Sequence, residues 1–202
     1  MRIGPKPKAV SYGSLTFKRK EKKRIDFTIV YEVLTWLGGI LAAVVLGAAL
    51  TWFFGLKTNV VGTSMEPTLH HGEQVLLNRV SYQFTSPKRG DVVAFYPNGN
   101  TKTHIYIKRV IGLPGERIKI QDGYVYINDS RYFLDTAEIT REAGIAENEI
   151  ALGVDEYFVL GDNRSNTEDS RSANIGNITS EMIEGRVWLQ LGTPSSKIRF
   201  VK

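Results

Sequence analysis

The sequence predicts a mostly β fold: a membrane-tethered β-rich domain with a small inserted β subdomain, preceded by one transmembrane helix. Three observations carry this. Residues 33–56 run for 24 positions without a charge. Beyond them, short apolar runs alternate with Gly, Pro, Asn and Asp, the punctuation of strands and turns. Asp122-Gly123, between two alternating runs, is the dipeptide of a tight hairpin.

The chain has 202 residues and a net charge of +5, but the charge is unevenly placed. Residues 1–26 hold nine Lys/Arg against two acids, a net +7, which leaves −2 for the other 176 residues. A nucleic-acid binder carries its basic patch on the folded domain, so nucleic acid is not an expected partner. The chain has no cysteine, which excludes a disulfide framework, a Cys-ligated metal and a cysteine nucleophile.

The tail, residues 1–32, leads into VLTWLGGILAAVVLGAALTWFFGL at 33–56. A helix of that length extends about 36 Å, enough for a hydrocarbon core of about 30 Å. A cleavable signal peptide has an apolar region of about 7–15 residues, shorter than this one. Basic residues crowd the N-terminal flank, so the tail is expected in the cytoplasm and residues 57–202 outside. Trp52, Phe53 and Phe54 fall where an interfacial aromatic belt sits. The cluster KRKEKKR at 18–24 is suited to anionic lipid heads, which makes membrane lipids an expected partner.

Strands are expected at 74–78, 91–96, 104–111, 117–120, 124–127, 156–160 and 186–191. Residues 136–149 read as a loop or short helix, and 178–185 as holding one helical turn. The inserted subdomain is expected over 116–155.

Chemistry concentrates in four segments: GTSMEPT at 62–68, RGDVV at 89–93, KRVIGLPG at 108–115 and GDNRSNTEDSR at 161–171. Only three histidines are present. No G-x-S-x-G elbow surrounds Ser64. His70 and His71, being adjacent, point apart on an extended chain, and three or four ligands would be needed for a metal. No metal or cofactor is expected. Lysine is the better base candidate. The stretch HIYIKRVI at 104–111 is apolar on both faces, with Ile105, Ile107 and Ile111 on one and Tyr106, Lys108 and Val110 on the other. Burial would favour the neutral amine; at a strand edge, the ammonium would instead snorkel to water. A free lysine is only about 0.04% neutral at pH 7, so a working base needs its pKa lowered to about 7–8.

In this order and behind such a span, the four segments resemble the signature boxes of bacterial type I signal peptidases, and the single span and small size look most like Gram-positive members. The resemblance covers the chain from the anchor to about Trp188. It implies a membrane-bound serine endopeptidase that removes N-terminal signal peptides from exported preproteins after a small-x-small pattern, by a Ser-Lys dyad and without a cofactor. By resemblance, Ser64 is the nucleophile and Lys108 the general base. Thr167 stands where many members have a serine whose hydroxyl contacts that lysine. Asp169 and Arg171 match the charged pair that braces the site, and Gly161, Asp162 and Asn163 the turn that positions the brace. Gly62 stands where some members place an oxyanion-hole serine, so backbone N–H groups, chiefly that of Ser64, are left to hold the oxyanion. Met65, Pro67 and Val93 are expected to form the shallow pockets for small side chains. A monomer in the bacterial cell membrane, with an extracytoplasmic catalytic domain, is expected. A soluble, DNA-linked Ser-Lys protease lacks such a span, and an inactive membrane-tethered module has no use for both Ser64 and Lys108.

Overall fold

The computed structural model describes residue 13 and residues 27–54, 56–133, 139–165, 167–192 and 197–201, with the side chains of residues 50 and 52–54 left aside. The basic cluster at 18–24 therefore lies outside the described residues, as do the side chains of the aromatic belt at 52–54 and residues 136–138 of the expected 136–149 loop.

Helix α1 runs Phe27–Phe54. It begins six residues before the expected span because FTIVYE continues the apolar run, with Glu32 as its only charge. Phe27–Ala49 is long and apolar enough to cross a membrane. Leu34, Trp36, Leu41 and Val44 are all largely exposed, so the helix buries no apolar stripe of its own, and lipid is the solvent that suits it. Leu56 is not its last residue, as the uncharged run suggests. It opens strand β1 (Leu56–Asn59), pairs with Leu77 and packs against a core cluster.

The remaining strands are β2 (Gln74–Asn78), β3 (Val92–Phe95), β4 (Tyr106–Gly112), β5 (Arg117–Gln121), β6 (Tyr124–Ile127), β7 (Ser130–Arg131), β8 (Ile150–Ala151), β9 (Glu156–Leu160), β10 (Ile178–Thr179), β11 (Ile183–Leu191) and β12 (Arg199–Phe200). A one-turn helix α2 (Ser81–Phe84) follows β2, and 3-10 turns occupy Pro97–Gly99, Gly144–Glu147 and Ser180–Met182. The last two meet the expected helical turns near 136–149 and 178–185.

The main sheet is antiparallel in the order β1-β2-β11-β3-β4-β9-β10. β12 pairs with β11 at Leu189 and Gln190, on the edge that β3 leaves after Arg186. Residues 117–151 form a second sheet, β7-β6-β5-β8. Its β5 and β6 alternate buried and half-exposed side chains, and Asp122 (φ 50°) and Gly123 (φ 80°) supply the two positive φ values that their two-residue hairpin demands.

By contrast, β3 is buried at all four positions, because it lies between two apolar clusters. Val92 and Ala94 face one that also holds Met65, Leu69 and Ile107; Val93 and Phe95 face another with Val110 and Val159. The faces of β4 are as expected except at Ile111. A bulge between Val110 and Gly112 turns Ile111 into the core beneath the small sheet, with Ile118 and Phe158.

Candidate active site

The segment from Val60 to Glu73 is a closed loop. The Val60 N–H donates to the Glu73 carbonyl (2.8 Å), and the Gly72 N–H donates to that of Val60 (2.8 Å). Within it, Leu69 N–H donates to the Met65 carbonyl (2.8 Å), one helix-like turn. Met65 and Leu69, four residues apart, are buried together in the core, which leaves half-buried Ser64 on the open side of the turn.

Lys108 meets it from β4. Its Nζ donates to Ser64 Oγ at 2.8 Å, and the residue is only 3% exposed. Burial pulls the ammonium from 10.5 down to about 8, Asp169 and Glu168 pull the other way, and Arg171 adds a small depression. Of the two outcomes open to a lysine here, the chain adopts burial. Val93 stands directly opposite Lys108 in the β3–β4 register and is fully buried. It is therefore part of the dry wall beside the amine, not a surface for substrate: the unbroken apolar run of β3 buries both of its faces.

A cleft of about 490 Å³ opens beside Ser64 and Lys108. Val60, Met65, Ile105 and Ile107 give it apolar walls, and Glu142 and Glu168 also line it. Met65, one of the residues expected to form the substrate pockets, lines the cleft. Pro67 does not: it is exposed and outside the cleft lining, because the turn that sends Met65 inward carries Pro67 outward. The expected β3 wall is supplied instead by residues 104–108.

Asp169 and Arg171 form a buried ion pair. Asp169 is fully buried; its Oδ1 accepts from Arg171 Nε (2.8 Å) and its Oδ2 from an Arg171 terminal nitrogen (2.9 Å). Asp169 Oδ2 also accepts from the Gly161 N–H (3.0 Å). The next residues do more than turn the chain. The Asn163 N–H donates to the Ser64 carbonyl (3.1 Å), and its Nδ2 to the Thr63 carbonyl (3.2 Å). Asp162 takes a bidentate pair from Arg109 (2.7 and 2.6 Å) and accepts from Thr68 Oγ1 (2.5 Å). A Cβ at Gly161 would lie 2.5 Å from the Ser64 carbonyl oxygen and 2.5 Å from Thr167 Oγ1, so only glycine fits between them.

Two expectations change. Thr167 lines the cleft, but its hydroxyl is buried without a hydrogen-bond partner and so makes no hydrogen bond to Lys108. It lies against the Gly161 backbone while the lysine points to Ser64. The Gly62 N–H is not aimed at the cleft either: it donates to His71 Nδ1 (3.0 Å), so this histidine is more than an exposed turn residue.

The Arg109–Asp162 pair and the Asn163 clamp went unseen in the sequence. Arg109 did leave a signal, since an arginine inside a strand apolar on both faces needs a buried acid. No group of three or more His, Cys, Asp or Glu suited to a metal is gathered among the described residues.

Comparison with known proteins fits this geometry. The model of the family described as "Signal peptidase, peptidase S26" matches residues 33–191. A probable signal peptidase I-2 of Synechocystis sp. is 32% identical over 163 residues, covering 77% of this chain and 73% of the relative. Signal peptidase I of Bacillus amyloliquefaciens is 34% identical over 161 residues, covering 76% and 84%. Signal peptidase IB of Staphylococcus aureus is 32% identical over 174 residues, covering 77% and 87%. By the extent of that match, the chain belongs to the signal peptidase family, peptidase S26, as a serine peptidase of its type I branch.

Proposed function

We propose that this peptidase cuts N-terminal signal peptides from exported preproteins by a Ser-Lys dyad, with Ser64 as nucleophile and Lys108 as general base. The observation that carries the reading is the 2.8 Å contact between Lys108 Nζ and Ser64 Oγ in a buried setting that lowers the lysine to about 8. At that pKa, about a tenth of the amine is neutral at pH 7, against about 0.04% for a free lysine.

Neutral Lys108 takes the Ser64 hydroxyl proton as Oγ attacks the scissile carbonyl carbon. The oxyanion is held by the Ser64 N–H, which makes no hydrogen bond among the described residues. The ammonium then gives its proton to the amine as the C–N bond breaks, leaving an ester on Ser64. Water loses a proton to Lys108 as it attacks the ester, and Ser64 recovers its hydroxyl. Asn163, Asp169 and Arg171 fix the nucleophile turn against the 161–171 loop. The apolar cleft walls suit the small side chains of a small-x-small pattern.

In this reading a basic tail stays in the cytoplasm, one span follows, and residues 57–202 form an extracytoplasmic catalytic domain with 116–155 as an inserted subdomain. The enzyme works as a monomer on the bacterial cell membrane, its tail against anionic lipid. Ser64 lies ten residues beyond Phe54, where α1 ends, at most about 36 Å of extended chain, so cleavage takes place close to the bilayer. The test is preprotein cleavage by the full chain in detergent micelles. Ser64→Ala and Lys108→Ala are each expected to abolish release of mature protein. Normal release by either would end the dyad assignment.

A further inference from the structure

The C-terminal strand lies beyond residues 33–191, the part matched by the family model, yet it reaches the nucleophile loop. Arg199 in β12 donates from Nε to Gln190 Oε1 and from a terminal nitrogen to the Thr68 carbonyl. Gln190 is 1% exposed, and its Nε2 donates to Glu73 Oε1 (2.5 Å). Glu73 is 5% exposed, and its other oxygen accepts from the His70 N–H (2.9 Å). Two residues along, Val201 is buried in the same cluster as Met65 and Leu69.

The chemistry of this relay is directional. An ionised glutamate only accepts and an arginine only donates. A carboxamide is the side chain that can stand between them, accepting on one end and donating on the other. Its dipole then runs from guanidinium to carboxylate, and the buried charge of Glu73 is answered through it. The relay ends on Thr68, His70 and Glu73, the half of the loop that follows Ser64, while Asn163 holds the half that contains it. Asp162 reaches Thr68 from the other side. The loop is thus gripped from two directions, and one of them is β12.

We propose that β12 is a positioning element of the active site and that Arg199 is its positioning residue, acting through Thr68, Gln190 and Glu73 on the loop that carries Ser64. The proposal rests on the reading of Ser64 as nucleophile. Arg199→Ala, made in the full chain in micelles, is expected to lower kcat about fivefold to tenfold, the worth of one or two hydrogen bonds. KM and the pH midpoint should stay at their wild-type values, because the cleft walls and Lys108 are untouched. Arg199→Lys offers one compact cation for two acceptors and should recover part of the loss. Gln190→Leu, which cuts the relay in its middle, should match Arg199→Ala.

Amide hydrogen exchange supplies a readout independent of catalysis. Peptides covering residues 60–73 should exchange faster in Arg199→Ala, while those covering 119–127 in the small sheet stay unchanged. A kcat within twofold of wild type, or exchange that is unchanged or accelerated equally in both regions, would overturn the proposal. Were Ser64→Ala to remain active, the nucleophile reading would fall, and the exchange comparison would still decide whether β12 holds the loop.

Discussion

Replacing Lys108 by methionine should make this enzyme inactive and more stable at once. The side chain is 3% exposed and its hydrogen bond is to Ser64 Oγ. A drop from 10.5 to about 8 means that burying the ammonium costs on the order of 3 kcal/mol, at about 1.4 kcal/mol per unit. Methionine fills a similar volume without a charge to desolvate. Losing the bond to Ser64 returns about 1 kcal/mol at most, because that hydroxyl is half-exposed and can turn to water.

The sign follows from proton counting. Below about pH 8, Lys108 is protonated in both the folded and unfolded chains, and the whole penalty is present. Between about 8 and 10.5 the unfolded chain holds the proton that the folded one has released, so wild-type stability rises with pH. The methionine variant has no such rise. Its advantage should be about 2–3 kcal/mol at pH 7 and fall below about 1 kcal/mol by pH 10.5. For a domain of this size that corresponds to roughly 4–12 °C in melting temperature. Thermal unfolding of both chains in micelles, followed by near-UV circular dichroism at pH 7, 9 and 10.5, measures it. A methionine variant no more stable than wild type at pH 7, or an advantage independent of pH, would show that Lys108 is not carried as a desolvated charge.

The pH dependence of kcat/KM should show an acid limb with its midpoint near 8, activity rising as the amine loses its proton; a midpoint near 10.5 would contradict the buried base. Gly161→Ala forces a Cβ to within 2.5 Å of the Ser64 carbonyl oxygen. It should cost about 1–3 kcal/mol of stability, and an associated displacement of Ser64 by about 1 Å would lower kcat by up to about a hundredfold; wild-type turnover would refute the close fit. Arg109→Met leaves Asp162 charged and buried without its guanidinium, a loss of about 3–5 kcal/mol by denaturant unfolding. Adding Asp162→Asn should restore part of it, and a single variant as stable as wild type would show that the pair is not coupled.

The strands legible in the sequence are those whose own residues declare them. β2, β6 and β9 match the expected limits to the residue, because each run ends at a turn-forming Gly, Asn or Asp. β7, β8, β10 and β12 are two-residue pairings made by a partner strand, with no periodicity to read in so short a stretch. Leu56 was ambiguous for a related reason: an apolar residue between a span and a strand belongs to either by composition, and its pairing with Leu77 decides. At the site, the boxes single out the residues of the Lys108–Ser64 contact and of the Asp169–Arg171 pair. Val93 could have been placed correctly from its strand alone, since VVAF offers no polar face. The direction of the Thr167 hydroxyl, the Gly62 bond to His71 and the Arg199 relay depend on side-chain geometry between distant segments, which no local pattern encodes.

The bulge in β4 sets how the surroundings of Lys108 can fail. That one strand sends Ile107, Val110 and Ile111 into three separate cores. Parting β4 from its neighbours would strip the apolar packing from around the Lys108 stem, and it would loosen all three cores. Local opening around Lys108 should therefore lie close in free energy to opening of the whole domain. Partial melting that leaves a folded domain around a solvated Lys108 stem has no low-energy route. On heating, activity should persist nearly undiminished until the domain unfolds and then vanish with it.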